Sequence, residues 1–190
     1  MCELLLPSEA CFELTVLEDD ASDEEWLVGG TWSKGEGYGY DILGDLESGS
    51  MGWTDWNILL DRTGGPNHVG NFCDAAIIAD TSGDTDAAIY FHPQYYYMGH
   101  YSKFLAPASV RVETVGSGGT KTDDCSWPYG GRDGGTIHAT SWQQSDGSVA
   151  VVAMNCGDDD KDVSLAVSGV SGELRNTVPA NSIQTYVIPA

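Results

Sequence analysis

A chain of 190 residues with 41% hydrophobic and 10% aromatic content carries enough apolar material for a packed core, which excludes an intrinsically disordered segment. Its 29 acidic residues against 8 basic ones leave a formal charge of −21. That balance repels phosphate backbones and anionic membrane surfaces, so no nucleic acid is expected as a partner.

In chain order, Leu4, Leu5 and Leu6 followed by Pro7, Ser8 and Glu9 read as a short buried strand that ends in a polar residue. A parallel barrel strand presents a catalytic side chain in this way, at its C-terminal end. Residues 12–35 are acidic and glycine-rich and read as a loop bearing Trp26 and Trp32. Tyr38, Ile42, Leu43 and Leu46 then recur at the spacing of one helical face, and Gly49 stops the helix. Residues 51–60 (MGWTDWNILL) read as a second strand, and residues 64–78 as a loop rich in turn residues. A second helix is expected over 94–105, with Tyr97, Tyr101, Phe104 and Leu105 as its apolar stripe and Pro107 marking its end. The order strand–helix–strand–helix is that of two βα units of a parallel sheet.

Beyond Pro107 the pattern changes to short β-rich runs at 110–115, 137–142, 149–155, 163–167 and 183–188, separated by Gly, Ser, Asp and Asn. Such runs predict an antiparallel sandwich. The expected boundary divides the chain into residues 1–106 and 107–190. Two βα units do not close a barrel of eight, and their open edges would be a liability. The chain is therefore expected to be part of a longer protein.

The acidic runs 18–25 and 158–162 read as solvated loops, because neither has the spacing of a calcium loop. Cys2, Cys11, Cys73, Cys125 and Cys156 include no CxxC pair, so no structural zinc is expected, and their odd number leaves the redox compartment open. Cys11 has no histidine near it in sequence to support a thiol mechanism. No apolar stretch approaches the ~18 residues of a membrane span, and the opening residues do not read as a signal peptide.

Three blocks carry a resemblance. Residues 4–11 (LLLPSEAC), 39–80 (the run around GWTDWN) and 95–112 (YYYMGHYSKFLAPASVRV) are similar, in order and distance, to the glucosylceramidases of glycoside hydrolase family 30. The resemblance implies an α/β plus all-β fold: the C-terminal part of a (β/α)8 TIM barrel, strands 7 and 8, followed by an antiparallel β-sandwich. It implies a retaining hydrolase that cleaves the β-glucosidic bond of glucosylceramide to glucose and ceramide. Retention requires two carboxyl groups about 5–5.5 Å apart, one attacking the anomeric carbon and one serving as acid and base. The nucleophile matches Glu9. The acid/base residue of the family follows an Asn on barrel strand 4, and this sequence has no Asn-Glu dipeptide, so the chain alone is expected to be inactive.

Trp56 matches the indole that lines the sugar subsite, and Asn71 and Phe72 match a loop at the mouth of the site. Trp53 is expected to share the face of Trp56 within the core, and Asp55 to lie on the opposite face without a catalytic role. Asp74 and His100 fall in matched stretches, His100 as a structural hydrogen-bonding residue. The chemistry needs no cofactor and no metal. The implied partners are a glycolipid or β-glucoside substrate and, in the complete enzyme, a peripheral membrane or activator-protein contact; the implied location is lysosomal or secreted. The rival readings are a family member acting on another β-glycan, such as a β-1,6-glucan or xylan, and a non-catalytic sandwich that binds sugar or protein.

Overall fold

The computed structural model describes residues 32–66, 73–82, 88–116 and 137–190. Helix α1 (Trp32–Glu47) precedes β1 (Leu59–Asp61), β2 (Ile77–Asp80), β3 (Ala88–Phe91) and helix α2 (Pro93–Ser102). Then follow β4 (Val110–Val112), β5 (Ile137–Gln143), β6 (Val149–Asn155), β7 (Lys161–Leu165), β8 (Leu174–Val178) and β9 (Ser182–Ile188).

Both expected helices form, although α2 ends at Ser102, before Phe104 and Leu105 of its expected stripe. The apolar face of α1 buries Ile42, Leu43 and Leu46, and the helix ends where Gly49 takes a φ of 98°, a conformation that costs glycine little. Its start lies inside the stretch read as loop. Gly35 and Gly39 are poor helix formers, yet they let α2 come close: a Cβ on Gly39 would stand 2.5 Å from Tyr97 Cδ1, and one on Gly35 would stand 2.6 Å from Tyr97 Cδ2. Tyr97 is fully buried in that crossing, and the Tyr101 hydroxyl donates to the Gly39 carbonyl at 2.6 Å. Tertiary packing overrides propensity here.

The strand expected over 51–60 is confined to β1, β2 begins at the end of the loop read over 64–78, and β3 forms in a stretch to which no element was assigned. β1 pairs with β2 in parallel and β2 with β3 antiparallel. Alternation of the pleat turns Leu60, Ile78 and Tyr90 inward, while Leu59, Ile89 and Phe91 stay exposed on the other face.

The sandwich is antiparallel, with strand order β4-β5-β6-β9 in its larger sheet and β7-β8 in its smaller one. Every residue of β6 is buried. One row of β6 (Val152 and Met154) meets Ile42, Leu43 and Leu46 of α1 and Tyr97 and Tyr101 of α2 in a common core. The helices and the larger sheet therefore share one apolar interior. Polar contacts lock the same seam: Thr140 Oγ1 donates to Glu47 Oε1 at 2.6 Å, and Arg111 pairs with Glu47 at 3.1 Å. Asn155 Nδ2 donates to the carbonyls of Asp159, Val178 and Pro179, joining the end of β6 to the smaller sheet. Cys156, next in the chain, is disulfide-bonded.

Candidate functional site

Helix α1 has a second face that the apolar pattern conceals. Lys34, Tyr38, Asp41 and Asp45 stand at i, i+4, i+7 and i+11, which places them along one side of the helix. Three of them reach across to the segment that follows the helix or to the start of β2. Lys34 Nζ pairs with Asp74 Oδ2 at 3.2 Å, Tyr38 donates its hydroxyl to Asp55 Oδ1 at 3.3 Å, and the indole N–H of Trp53 donates to Asp41 Oδ2 at 3.1 Å.

Asp74 is the hub of this layer. His92 Nδ1 lies 2.9 Å from Oδ1, Gln94 Nε2 donates to Oδ2 at 2.9 Å, and the Ala75 amide donates to Oδ1 at 2.8 Å. One carboxylate so joins α1, the entry to β2 and the first turn of α2. Burial by itself would push its pKa up, but the His92 hydrogen bond, the Lys34 ammonium and Gln94 outweigh burial and bring it down to about 2. The group is an anion at any pH well above 2, which suits a scaffold and not a proton donor.

The other carboxyls behave differently. Burial pushes Asp41 up to about 6, opposed by the Trp53 hydrogen bond and helped by the neighbouring Asp45. Burial also raises Asp55, against the hydrogen bonds from the Trp56 amide and Tyr38. Tyr38 is pushed far above its ordinary range by burial and by the negative charges of Asp55, Asp74 and Asp41, so its hydroxyl keeps its proton and remains a donor.

Trp56 projects from this layer, 71% exposed, on a segment without strand pairing. Trp53 does not share its side: it packs edge-on to Tyr38 with ring centroids 5.6 Å apart and joins the margin of the core. Three positions separate the two tryptophans, and in extended chain an odd separation points side chains to opposite sides. Trp53 and Asp55, two apart, both face α1. Asp55, expected opposite both tryptophans, therefore lies opposite Trp56 alone, and its carboxylate accepts from Tyr38 and the Trp56 amide. His100 Nδ1 lies 2.8 Å from Thr185 Oγ1, linking α2 to β9. Glu9, Asn71 and Phe72 lie outside the described residues. Among the described residues, no group of three His, Cys, Asp or Glu side chains is placed to hold a metal ion. The scaffold of Lys34, Tyr38, Asp41, His92 and Gln94 was not recognised from sequence, although the helical spacing of the first three is a legible signal.

Comparison with known proteins extends beyond this geometry. The family model described as the glycosyl hydrolase family 30 TIM-barrel domain matches residues 3–105, and that of the family's β-sandwich domain matches residues 109–186. The chain is 34% identical over 185 residues to the lysosomal acid glucosylceramidase of Mus musculus, covering 97% of this chain and 31% of that protein. The structure of SrfJ from Salmonella typhimurium superposes with a TM-score of 0.68 at 23% identity, covering 89% of this chain and 32% of that one. An endo-β1,6-glucanase structure matches with a TM-score of 0.62 at 25% identity, over 78% of this chain and 29% of that one. The chain thus spans about a third of the length of the proteins it matches. It belongs to glycosyl hydrolase family 30, and its fold is the C-terminal part of the family's TIM barrel joined to the family's β-sandwich.

Proposed function

We propose that this chain is the C-terminal part of a retaining β-glycosidase of the glucosylceramidase type, with residues 1–106 contributing to the catalytic barrel and 107–190 forming the sandwich. The observation that carries the reading is the 34% identity to a lysosomal acid glucosylceramidase, sustained across 97% of the chain. In this reading Glu9 attacks the anomeric carbon and forms a covalent glycosyl-enzyme. A second carboxyl, on a barrel strand outside this sequence, protonates the leaving oxygen and then activates water. Trp56 supplies an aromatic platform for the apolar face of the sugar, and Asn71 and Phe72 border the mouth of the site. The exposed Leu59, Ile89 and Phe91 support membership of a larger barrel, since so much apolar surface on one short sheet calls for a cover.

The substrate is a glycolipid β-glucoside such as glucosylceramide, and the complete enzyme works in the lysosome or outside the cell, meeting its lipid substrate at a membrane surface or with an activator protein. The disulfide at Cys156 accords with an oxidising compartment. Likeness to an endo-β1,6-glucanase structure favours a second reading, a hydrolase of another β-glycan. The complete enzyme, assayed side by side on glucosylceramide, β-1,6-glucan and xylan, decides between the two. Glu9→Gln in that enzyme should abolish turnover of a nitrophenyl β-glucoside; retained turnover would overturn the nucleophile assignment. A complete protein that binds these sugars but hydrolyses none would favour a binding module instead.

A further inference from the structure

Among the described residues, 51–58 are not held by a ladder: strand pairing begins at Leu59. Yet this segment carries Trp56, and a stacking platform is useful only if its pose is fixed before the sugar arrives, because ordering it on binding would cost affinity. Its downstream end is tied where the Ile58 carbonyl accepts from the Ile77 amide at 3.0 Å. Two tethers to α1 hold the rest. Asp55 Oδ1 accepts both the Tyr38 hydroxyl at 3.3 Å and the backbone N–H of Trp56 itself at 2.8 Å. Three residues before Trp56, the Trp53 indole donates to Asp41 Oδ2 at 3.1 Å and rests edge-on against Tyr38. The backbone of Trp56 is therefore clamped at its own amide and upstream of it, while its indole remains free.

We propose that Asp41 and Tyr38 of α1 are positioning residues that set the pose of the Trp56 platform, through Trp53 and Asp55 respectively. The inference rests on the reading of Trp56 as a sugar platform and adds how that platform is held. It also assigns work to the polar face of α1, whose Tyr38 and Asp41 reach the Trp56 segment through Asp55 and Trp53.

Two arms test the tether and the platform separately. In indole 1H–15N spectra of the 190-residue chain, Asp41→Ala should move the Trp53 and Trp56 signals and lower the heteronuclear NOE of Trp56. Asp41→Asn keeps an acceptor oxygen and should restore both. Tyr38→Phe, which removes only a hydroxyl, should disturb Trp56 as well and serves if Asp41→Ala folds poorly. A Trp56 signal unmoved in Asp41→Ala and in Tyr38→Phe overturns the proposal.

In the complete enzyme, Asp41→Ala should weaken a glucose-mimicking inhibitor about threefold to tenfold, the span of one lost hydrogen bond. It should have no further effect in the Trp56→Ala background, because a positioning residue acts only through what it positions. Equal losses in both backgrounds overturn the positioning role. Unchanged affinity in Trp56→Ala alone overturns the platform reading, and the positioning role with it, whatever the spectra show of the tether.

Discussion

Asp74→Ala tests the account of the polar layer most directly. The substitution removes the acceptor for Lys34, His92, Gln94 and the Ala75 amide at once. Lys34 is left as an ammonium with only 11% of its side chain exposed, beside a His92 side chain with none exposed. Breaking a buried pair by deleting one partner costs about 3–5 kcal/mol, and the slight exposure of this one places it near the lower end, at about 3 kcal/mol. Proton linkage provides an independent figure. A carboxyl that falls from an ordinary 3.8 to about 2 contributes about 2 kcal/mol to folding at neutral pH. The sign follows from the direction of the shift. The contribution is present above about 3.8 and is lost as pH falls toward about 2, so parent and variant should converge in strong acid. Urea unfolding of the 190-residue chain, followed by tryptophan emission from pH 2 to 7, measures this. Adding Lys34→Met to Asp74→Ala should recover part of the loss, since the unpaired cation is then gone. A loss below about 0.5 kcal/mol at pH 7, or one independent of pH, would refute the hub.

Gly39→Ala should destabilise the chain by about 1–3 kcal/mol, because the new Cβ would press to within 2.5 Å of a fully buried Tyr97; an unchanged thermal midpoint would contradict the close helix crossing. Asp41→Asn should act in the opposite sense. With its pKa raised to about 6, Asp41 contributes stability below about 3.8 that is lost as pH rises through about 6, so the variant should gain on the parent over that window. The gain should stay below about 1 kcal/mol, since the group is only partly shielded from solvent, and unfolding curves at pH 4 and pH 7 read it. The 190-residue chain by itself should not turn over an activated fluoro- or nitrophenyl β-glucoside. The acid/base carboxyl contributes typically about 10²–10⁴-fold and the positioning barrel up to ~11 kcal/mol, so measurable turnover that depends on Glu9 would show that the chain needs neither.

What the sequence determined by itself was periodic. Ile42, Leu43 and Leu46 recur at helical spacing, and the period changes to short β-rich runs beyond Pro107, so both helices and most sandwich strands were legible. β8 was missed because its residues Leu174 to Thr177 are exposed and carry no apolar alternation; it is a strand because β7 pairs with it. The segment around GWTDWN has the composition of a strand. Even so, Trp53 and Asp55 spend their polar atoms on α1, and among the described residues of that segment strand pairing is confined to β1. The same limit applies to the candidate site. Trp56 could be singled out from its motif, but its exposure opposite Trp53, and the carboxylate hub at Asp74, depend on residues up to 40 positions apart in the chain meeting across a helix face. Local periodicity reports which side of an element is apolar. Which partners its polar side meets is decided only when the elements pack.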